Sequence, residues 1–143
     1  MSMRTYGVET KGVVITLNDF QVLISLNRKN IEQKFDFNDR WQEVDLDNME
    51  FDEIIDFTYN IDFATFIGEF EGYLETDKTQ ERTYFNGDDI ILLELKKNDL
   101  YNKYDNRDEI IAELKETLSK VGIIVDDDYI EEHFGYISGS YFA

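Results

Sequence analysis

Cysteine and proline are both absent from the 143-residue sequence, and histidine occurs once, as His133. Without cysteine there is no disulfide, thiolate metal ligand or cysteine nucleophile, and a single histidine leaves little material for a catalytic triad. No apolar run approaches the roughly 20 residues that span a bilayer, and the N-terminal segment lacks the apolar core of a signal peptide. These absences favour a cytoplasmic protein.

Positively charged residues are also scarce. The sequence contains 14 Lys and Arg residues and 32 Asp and Glu residues, which gives a net charge of -18. The hydrophobic fraction of 42% and the aromatic fraction of 15% argue against disorder, so we expect one folded domain over residues 1–143. Such a charge repels nucleic acid and anionic membrane surfaces. A basic protein is therefore the favoured partner, and direct nucleic-acid or membrane binding is disfavoured.

The acidic residues are concentrated in two segments. Residues 38–77 hold thirteen acidic residues and one basic residue, and residues 108–143 hold nine acidic and two basic residues. Within the first segment, DLDNMEFDEIIDFTYNIDF (45–63) combines seven carboxylates with four aromatic rings and has no Lys or Arg. We expect the rings to bind this segment to the core while the carboxylates point outward together.

Several segments have the β-branched, aromatic or alternating pattern of strands. The predicted strands are GVVITL (12–17) and FQVLISL (20–26), joined as a hairpin by Asn18-Asp19; IEQKFDF (31–37) and WQEVDLD (41–47); FIGEFEGYLET (66–76); ERTYF and DIILLELK, joined as a hairpin by Asn86-Gly87; and the C-terminal YISGSYFA. In FIGEFEGYLET the predicted inward side holds Phe66, Phe70 and Leu74, and the outward side holds the glutamates.

Helical spacing follows in three places. NMEFDEIIDFT (48–58) is predicted as a helix with Asp47 and Glu50 as a capping box, and NRDEIIAELKETLSKVG (106–122) as a helix capped by Asn106 and ended by Gly122. A shorter helix is predicted near DDDYIEEHF (126–134), closed by Gly135. The expected class is α+β, with a largely antiparallel sheet and two or three helices.

Motifs for metal or cofactor chemistry are weak. An EF-hand loop starting at Asp45 fails at its fifth and sixth positions, and Asp126–Asp128 fit a solvated helix N-terminus better than a divalent-ion site. No glycine-rich nucleotide-binding motif occurs, so no cofactor is expected. Glu94-Leu95-Lys96 resembles the E-x-K half of restriction-type nucleases, with Asp88 or Asp89 as an upstream carboxylate.

The acidic segments themselves are the best candidate for function. Alternate carboxylates on a strand stand about 6.7 Å apart, so a row of them imitates the charge of a phosphate backbone. Trp41 and Tyr73 fall on the acidic sides of their predicted strands and suit interface anchors. A solvated acidic surface without a partner is the alternative. The predicted partner-binding residues are Trp41, Glu43, Asp45, Asp47, Glu50, Glu53, Asp56, Glu69, Glu71, Tyr73 and Glu75.

In size, charge and lack of catalytic motifs the chain resembles the small acidic inhibitors of phages and mobile elements, such as DNA-mimicking anti-CRISPR and anti-restriction proteins. This resemblance implies a non-enzymatic inhibitor that blocks the basic groove of a DNA- or RNA-binding host protein. Two alternatives stay open. One is an immunity protein that neutralises a basic toxin nuclease, and the other is a divalent-metal-dependent nuclease or hydrolase that uses Glu94 and Lys96.

Overall fold

The computed structural model describes residues 4–35, 43–95 and 107–142. These ranges contain four strands and five helices, which confirms the α+β class with more helices than the expected two or three. The strands are β1 (Thr5–Thr16), β2 (Ala64–Thr76), β3 (Arg82–Leu93) and β4 (Phe134–Phe142). The helices are α1 (Leu17–Leu26), α2 (Arg28–Lys34), α3 (Phe51–Thr58), α4 (Arg107–Lys120) and α5 (Asp127–His133).

The four strands form a closed antiparallel barrel in the order β1-β3-β2-β4. Every strand contributes alternate side chains to one apolar cluster, which therefore fills the barrel interior. That cluster consists of Val8, Val14, Ile67, Phe70, Leu74, Phe85, Ile90, Leu92 and Ile137.

A second apolar cluster lies between the outside of the barrel and the helices. Val13, Ile15, Ile91 and Leu93 point outward from β1 and β3 and pack with buried residues of α1 to α5. The helices thus cover the part of the barrel where β1 and β3 pair. The outer sides of β2 and β4 near Glu71 and Tyr73 carry polar side chains instead.

The predicted N-terminal hairpin is wrong, because β1 runs directly into α1 at Leu17. The side chain of Thr16 caps α1 by accepting the N–H of Asp19 at 3.3 Å. Phe20, Leu23 and Ile24 are buried at helical spacing, so packing against the barrel overrides the preference of β-branched residues for strands.

The next predicted strand pair is also wrong within the described residues. Residues 31–34 belong to α2, which is amphipathic enough to bury Ile31, and residues 43–47 form turns. One of these turns is held by the N–H of Asp47, which donates to Asp45 Oδ1 at 3.0 Å. Residues 36–42, which contain the other ends of both predicted strands, lie outside the described residues.

Asn86-Gly87 does not form a hairpin turn, since β3 continues through it. Gly87 adopts a φ of 78° and is skipped in the pairing, so it is a β-bulge. A second bulge at Gly68-Glu69 of β2 compensates for it. Ile67 pairs with Ile90 and Glu71 pairs with Asn86, four residues on along each strand.

The remaining elements are confirmed with changes at their ends. α3 and α4 lie within the predicted ranges, but the N-terminal cap of α3 is three residues later than predicted, since the N–H of Glu50 donates to Glu53 Oε1 at 2.9 Å. Gly122, with a φ of 95°, ends α4. Gly135 does not close α5 but lies in β4, and Asn106 lies outside the described residues.

Candidate functional site

Three strands present an outer surface, the open β face, that carries polar and aromatic side chains. The sheet register aligns its residues in three rows, each running from β4 through β2 to β3. The rows are Ser140–Glu71–Asn86, Ser138–Tyr73–Tyr84 and Tyr136–Glu75–Arg82. Adjacent strands lie about 4.8 Å apart, so each row spans about 10 Å.

Four acidic residues lie at or beside the two bulges, next to one end of this face: Glu69, Glu71, Asp88 and Asp89, here called the acidic bulge cluster. Asp89 Oδ1 accepts the N–H of Glu69 at 3.0 Å, which ties the two bulges together. The carboxylates of Glu69 and Glu71 belong to exposed residues and have no ion pair or hydrogen bond with any described residue. Their charge is therefore directed to solvent.

The backbone at Glu69 is strained in a way that supports a role for this side chain. Its φ of 51° lies in the left-handed region, which costs a residue with a Cβ about 1–2 kcal/mol. Glycine adopts this conformation freely, yet the residue here is a glutamate and the glycine, Gly68, is at the preceding position. A carboxylate at the strained position directs one more negative charge outward.

The opposite end of the open β face is neutralised by Arg82. Its Nε donates to Glu75 Oε1 at 3.1 Å, and its guanidinium lies 4.5 Å from the ring centre of Tyr73. The hydrogen bond to Glu75, followed by that to Tyr84, raises the pKa of Arg82 above its usual value. Tyr84 is 71% exposed and its ring lies 6.2 Å from that of Tyr73, so the more accessible aromatic ring is on β3.

The predicted acidic residues around α3 form a separate group. Asp47 pairs with Arg28 and accepts a hydrogen bond from Ser25 Oγ at 2.8 Å, so it binds its loop to α1 and α2. Asp45 holds a turn and Glu53 caps α3. Glu43 and Glu50 are exposed, Asp56 is half-buried, and Trp41 lies outside the described residues.

The two acidic groups are linked through aromatic packing. Phe51 of α3 meets Phe66 of β2 edge to face, with 5.3 Å between ring centres. Phe66 lies only three residues before Glu69 along β2. This packing holds α3 beside the part of β2 that leads to the acidic bulge cluster. Of the predicted acidic residues, Asp47 and Glu75 have their charge compensated by an arginine.

The residues of the nuclease alternative are not assembled on β3. Asp89 and Glu94 are five residues apart on an extended segment, which separates their backbones by about 16 Å. Lys96 lies outside the described residues. Across the described ranges, no three His, Asp or Glu side chains are grouped so that they could hold a metal ion.

The aspartates at 126–128 serve the start of α5. Asp126 accepts the N–H of Tyr129 at 2.8 Å, and Asp127 pairs with Lys115 at 2.9 Å. His133 Nδ1 lies 2.7 Å from the carbonyl oxygen of Tyr129, and the two rings stack at 4.4 Å. These contacts account for Asp126, Asp127 and His133 as parts of the local structure.

Sequence reasoning missed the contributions of Arg82, Tyr84, Asp88 and Asp89 to this surface. Interpreting Asn86-Gly87 as a turn placed these residues on two separate strands. The apolar residues Phe85 and Ile90 on the two sides of the dipeptide were the available signal, but at a spacing of five residues they share one side of a strand only if that strand contains a bulge.

None of the helices in the described part of the chain is long and apolar enough to span a membrane. No family model, curated protein or solved structure matches this chain.

Proposed function

We propose that this protein is a non-enzymatic cytoplasmic inhibitor whose acidic face occupies the basic groove of a DNA- or RNA-binding protein and blocks nucleic-acid loading. The observation that carries the proposal is the acidic bulge cluster, where Glu69 and Glu71 are exposed without a cationic partner among the described residues. Asp89 accepts a hydrogen bond from the N–H of Glu69, and Asp88 accepts one from the N–H of Asn86, the residue opposite Glu71 on β3.

The physical basis is imitation of the phosphate charge. Carboxylates on one side of a strand repeat at about 6.7 Å, and phosphates on one nucleic-acid strand follow at a rise of about 3.4 Å with a longer separation along the backbone. A cationic groove attracts such a surface at long range, and electrostatic steering raises association rates to about 10⁸–10⁹ M⁻¹s⁻¹ at low salt. Tyr73 and Tyr84 add ring surface beside the charge.

A separation of about 16 Å between the backbones of Asp89 and Glu94 supports binding over hydrolysis as the function of this surface. Two carboxylates that chelate one divalent ion must both approach it within about 2–2.6 Å. The open β face offers charge and aromatic surface without a grouped metal site among the described residues.

Elution from immobilised DNA tests the proposal directly. Lysate of the source cell is loaded on DNA-cellulose at low salt, and bound proteins are eluted with the purified protein. We expect the protein to release a specific nucleic-acid-binding protein, since both compete for one groove. Mass spectrometry of the eluate then distinguishes a host defence protein from a toxin nuclease, the partner of the immunity alternative.

The matched variants are two double charge reversals. Glu69→Lys with Glu71→Lys alters the acidic bulge cluster, and Glu116→Lys with Glu132→Lys makes the same change in net charge at exposed positions on α4 and α5. We expect the first to lose elution and the second to retain it. Equal elution by the two variants, or none by the wild-type protein, would contradict the proposal.

A further inference from the structure

β3 has an open edge next to the acidic bulge cluster. It pairs with β2 along most of its length, but it pairs with β1 only from Ile90 to Leu93. Within the described residues, the edge from Arg82 to Asp89 therefore has no neighbouring strand. Arg82, Tyr84 and Asn86 are exposed, so this edge faces solvent.

The hydrogen bonds beside β3 identify which main-chain groups point to the open side. The N–H of Thr76 donates to the carbonyl of Glu81 at 3.0 Å, so these two residues form a hydrogen-bonded antiparallel pair. Hydrogen-bonded and non-hydrogen-bonded pairs alternate along an antiparallel ladder. The pairs Leu74–Thr83 and Gly72–Phe85 are then hydrogen-bonded, and those of residues 82, 84 and 86 are not.

Pairing on the other side of β2 agrees with this assignment. The N–H of Asp77 donates to the carbonyl of Phe134 at 3.3 Å, so the odd-numbered residues 75, 73 and 71 direct their main-chain groups toward β4. They cannot also bond to β3. Their partners on β3, Arg82, Tyr84 and Asn86, consequently direct N–H and C=O groups away from the sheet.

One of these outward groups is already satisfied within the chain. Asp88 Oδ2 accepts the N–H of Asn86 at 2.9 Å, which protects the end of the edge at the bulge. No residue in the described part of the chain bonds to the N–H and C=O groups of Arg82 and Tyr84 or to the carbonyl of Asn86. They span four residue steps of strand, or about 13 Å, which is enough to pair with a short extended segment.

We propose that an extended basic segment of the partner protein adds to this edge as a further β-strand, and this rests on the proposed function. Main-chain hydrogen bonds supply the affinity in such strand addition, and alternate side chains supply the specificity. The surroundings select for cationic side chains, because Glu81 and Asp88 lie at the two ends of the edge and Glu71 lies on the adjacent strand, while Arg82 is engaged by Glu75. A second copy of this chain is disfavoured by its net charge of -18.

The probe is an acetylated and amidated peptide of alternating Lys and Val, used with ¹⁵N-labelled protein. We expect the peptide to slow amide hydrogen exchange at Arg82 and Tyr84, while the amides of Thr83 and Phe85 stay as they are because they already bond to β2. A peptide of the same sequence with alternate N-methyl groups keeps the charge but lacks the donors on one edge, and we expect at least roughly fivefold weaker binding.

Two substitutions at one position give the matched comparison in the protein. Tyr84→Pro and Tyr84→Thr both remove the exposed ring, but only Tyr84→Pro removes the outward N–H, and proline is tolerated on edge strands. We expect the peptide to bind Tyr84→Pro roughly fivefold to tenfold more weakly than Tyr84→Thr.

Equal binding of the two peptides by wild-type protein would overturn the proposal even if Tyr84→Pro failed to fold. So would equal binding of the two variants when both are folded, or protection of Arg82 and Tyr84 by self-association without peptide. Elution from DNA-cellulose separates this outcome from failure of the proposed function. If Tyr84→Pro elutes as well as Tyr84→Thr while the Glu69→Lys, Glu71→Lys variant does not, the edge inference fails and the inhibitor proposal stands.

Discussion

Gly139→Ala should destabilise the protein more than any surface substitution on the same strand, because the backbones of β4 and β2 approach each other so closely at Gly139 that they leave no room for a Cβ. A Cβ at position 139 would lie 2.2 Å from the carbonyl oxygen of Glu71, 2.6 Å from Phe70 Cζ and 2.8 Å from the Cα of Gly72. Two of these three atoms belong to the backbone of β2. The substitution can therefore be accommodated only if the two strands move apart.

The cost follows from the size of that movement. Ordinary van der Waals contacts of a Cβ begin at 3.4 Å, so the strands must separate by about 1 Å. Overpacking of this kind costs about 1–3 kcal/mol, and weakening the neighbouring β2–β4 hydrogen bonds adds about 1 kcal/mol. We expect the free energy of unfolding to fall by about 2–4 kcal/mol, a large part of the total for a domain of this size.

Gly7→Ala is the matched control. Gly7 pairs with Ser140, the residue next to Gly139, but a Cβ there would meet nothing within 4 Å. Since alanine loses less conformational entropy than glycine in a strand, we expect the protein to be unchanged or stabilised by up to about 1 kcal/mol.

Urea denaturation followed by fluorescence, with circular dichroism as a second probe, measures both variants at one protein concentration. A Gly139→Ala midpoint that corresponds to less than about 0.5 kcal/mol would refute the close-contact reasoning. Equal losses in Gly7→Ala and Gly139→Ala would refute it as well, because the effect would then come from glycine replacement in general.

Two further outcomes follow from the backbone strain at Glu69 and from the half-buried phenol of Tyr129. Glu69→Gly should stabilise the fold by about 0.5–1 kcal/mol in denaturant titrations, because glycine relieves the strain of the left-handed backbone. It should also weaken elution from DNA-cellulose, because it removes a carboxylate. A loss of stability would show that the backbone at Glu69 is not strained. Burial, with a smaller contribution from Asp19, raises the pKa of Tyr129 to about 12. The unfolded chain then ionises first, so this contribution is complete below about pH 10 and is lost as the pH rises toward 12. Tyr129→Phe should remove that part of the alkaline destabilisation, and tyrosinate absorbance with stability measured from pH 9 to 12 checks it.

Prediction from sequence succeeded where the apolar residues repeat with one period over a long segment and polar residues occupy the exposed side. β2 buries Phe70 and Leu74 as predicted, and α4 buries Ile111, Leu114 and Leu118 along the predicted stripe. The prediction that Phe66 shares the inward side of β2 is wrong, because the bulge at Gly68-Glu69 turns Phe66 outward against α3. Prediction also failed at FQVLISL, where β-branched composition favours a strand. There the helical spacing of Phe20, Leu23 and Ile24 against the barrel decided the structure.

The acidic face was predictable in composition but not in arrangement. The sequence shows where carboxylates are concentrated, whereas the contacts that neutralise Asp47 and Glu75 depend on Arg28 and Arg82, which are 19 and 7 residues away. The acidic bulge cluster depends on two irregular positions that face each other across a hairpin. Only the three-dimensional register brings Glu69 and Asp89 into contact.

Each of the paired bulges absorbs one extra residue within its own strand. Phe85 and Ile90 both face the barrel interior although they are five residues apart, and Ile67 and Phe70 do so although they are three residues apart. Deleting Gly87 would leave Phe85 and Ile90 four residues apart, the spacing of a regular strand, so both side chains would still point inward while β2 kept its own bulge. The chain length of this hairpin can therefore change by one residue at either bulge without turning the barrel core outward.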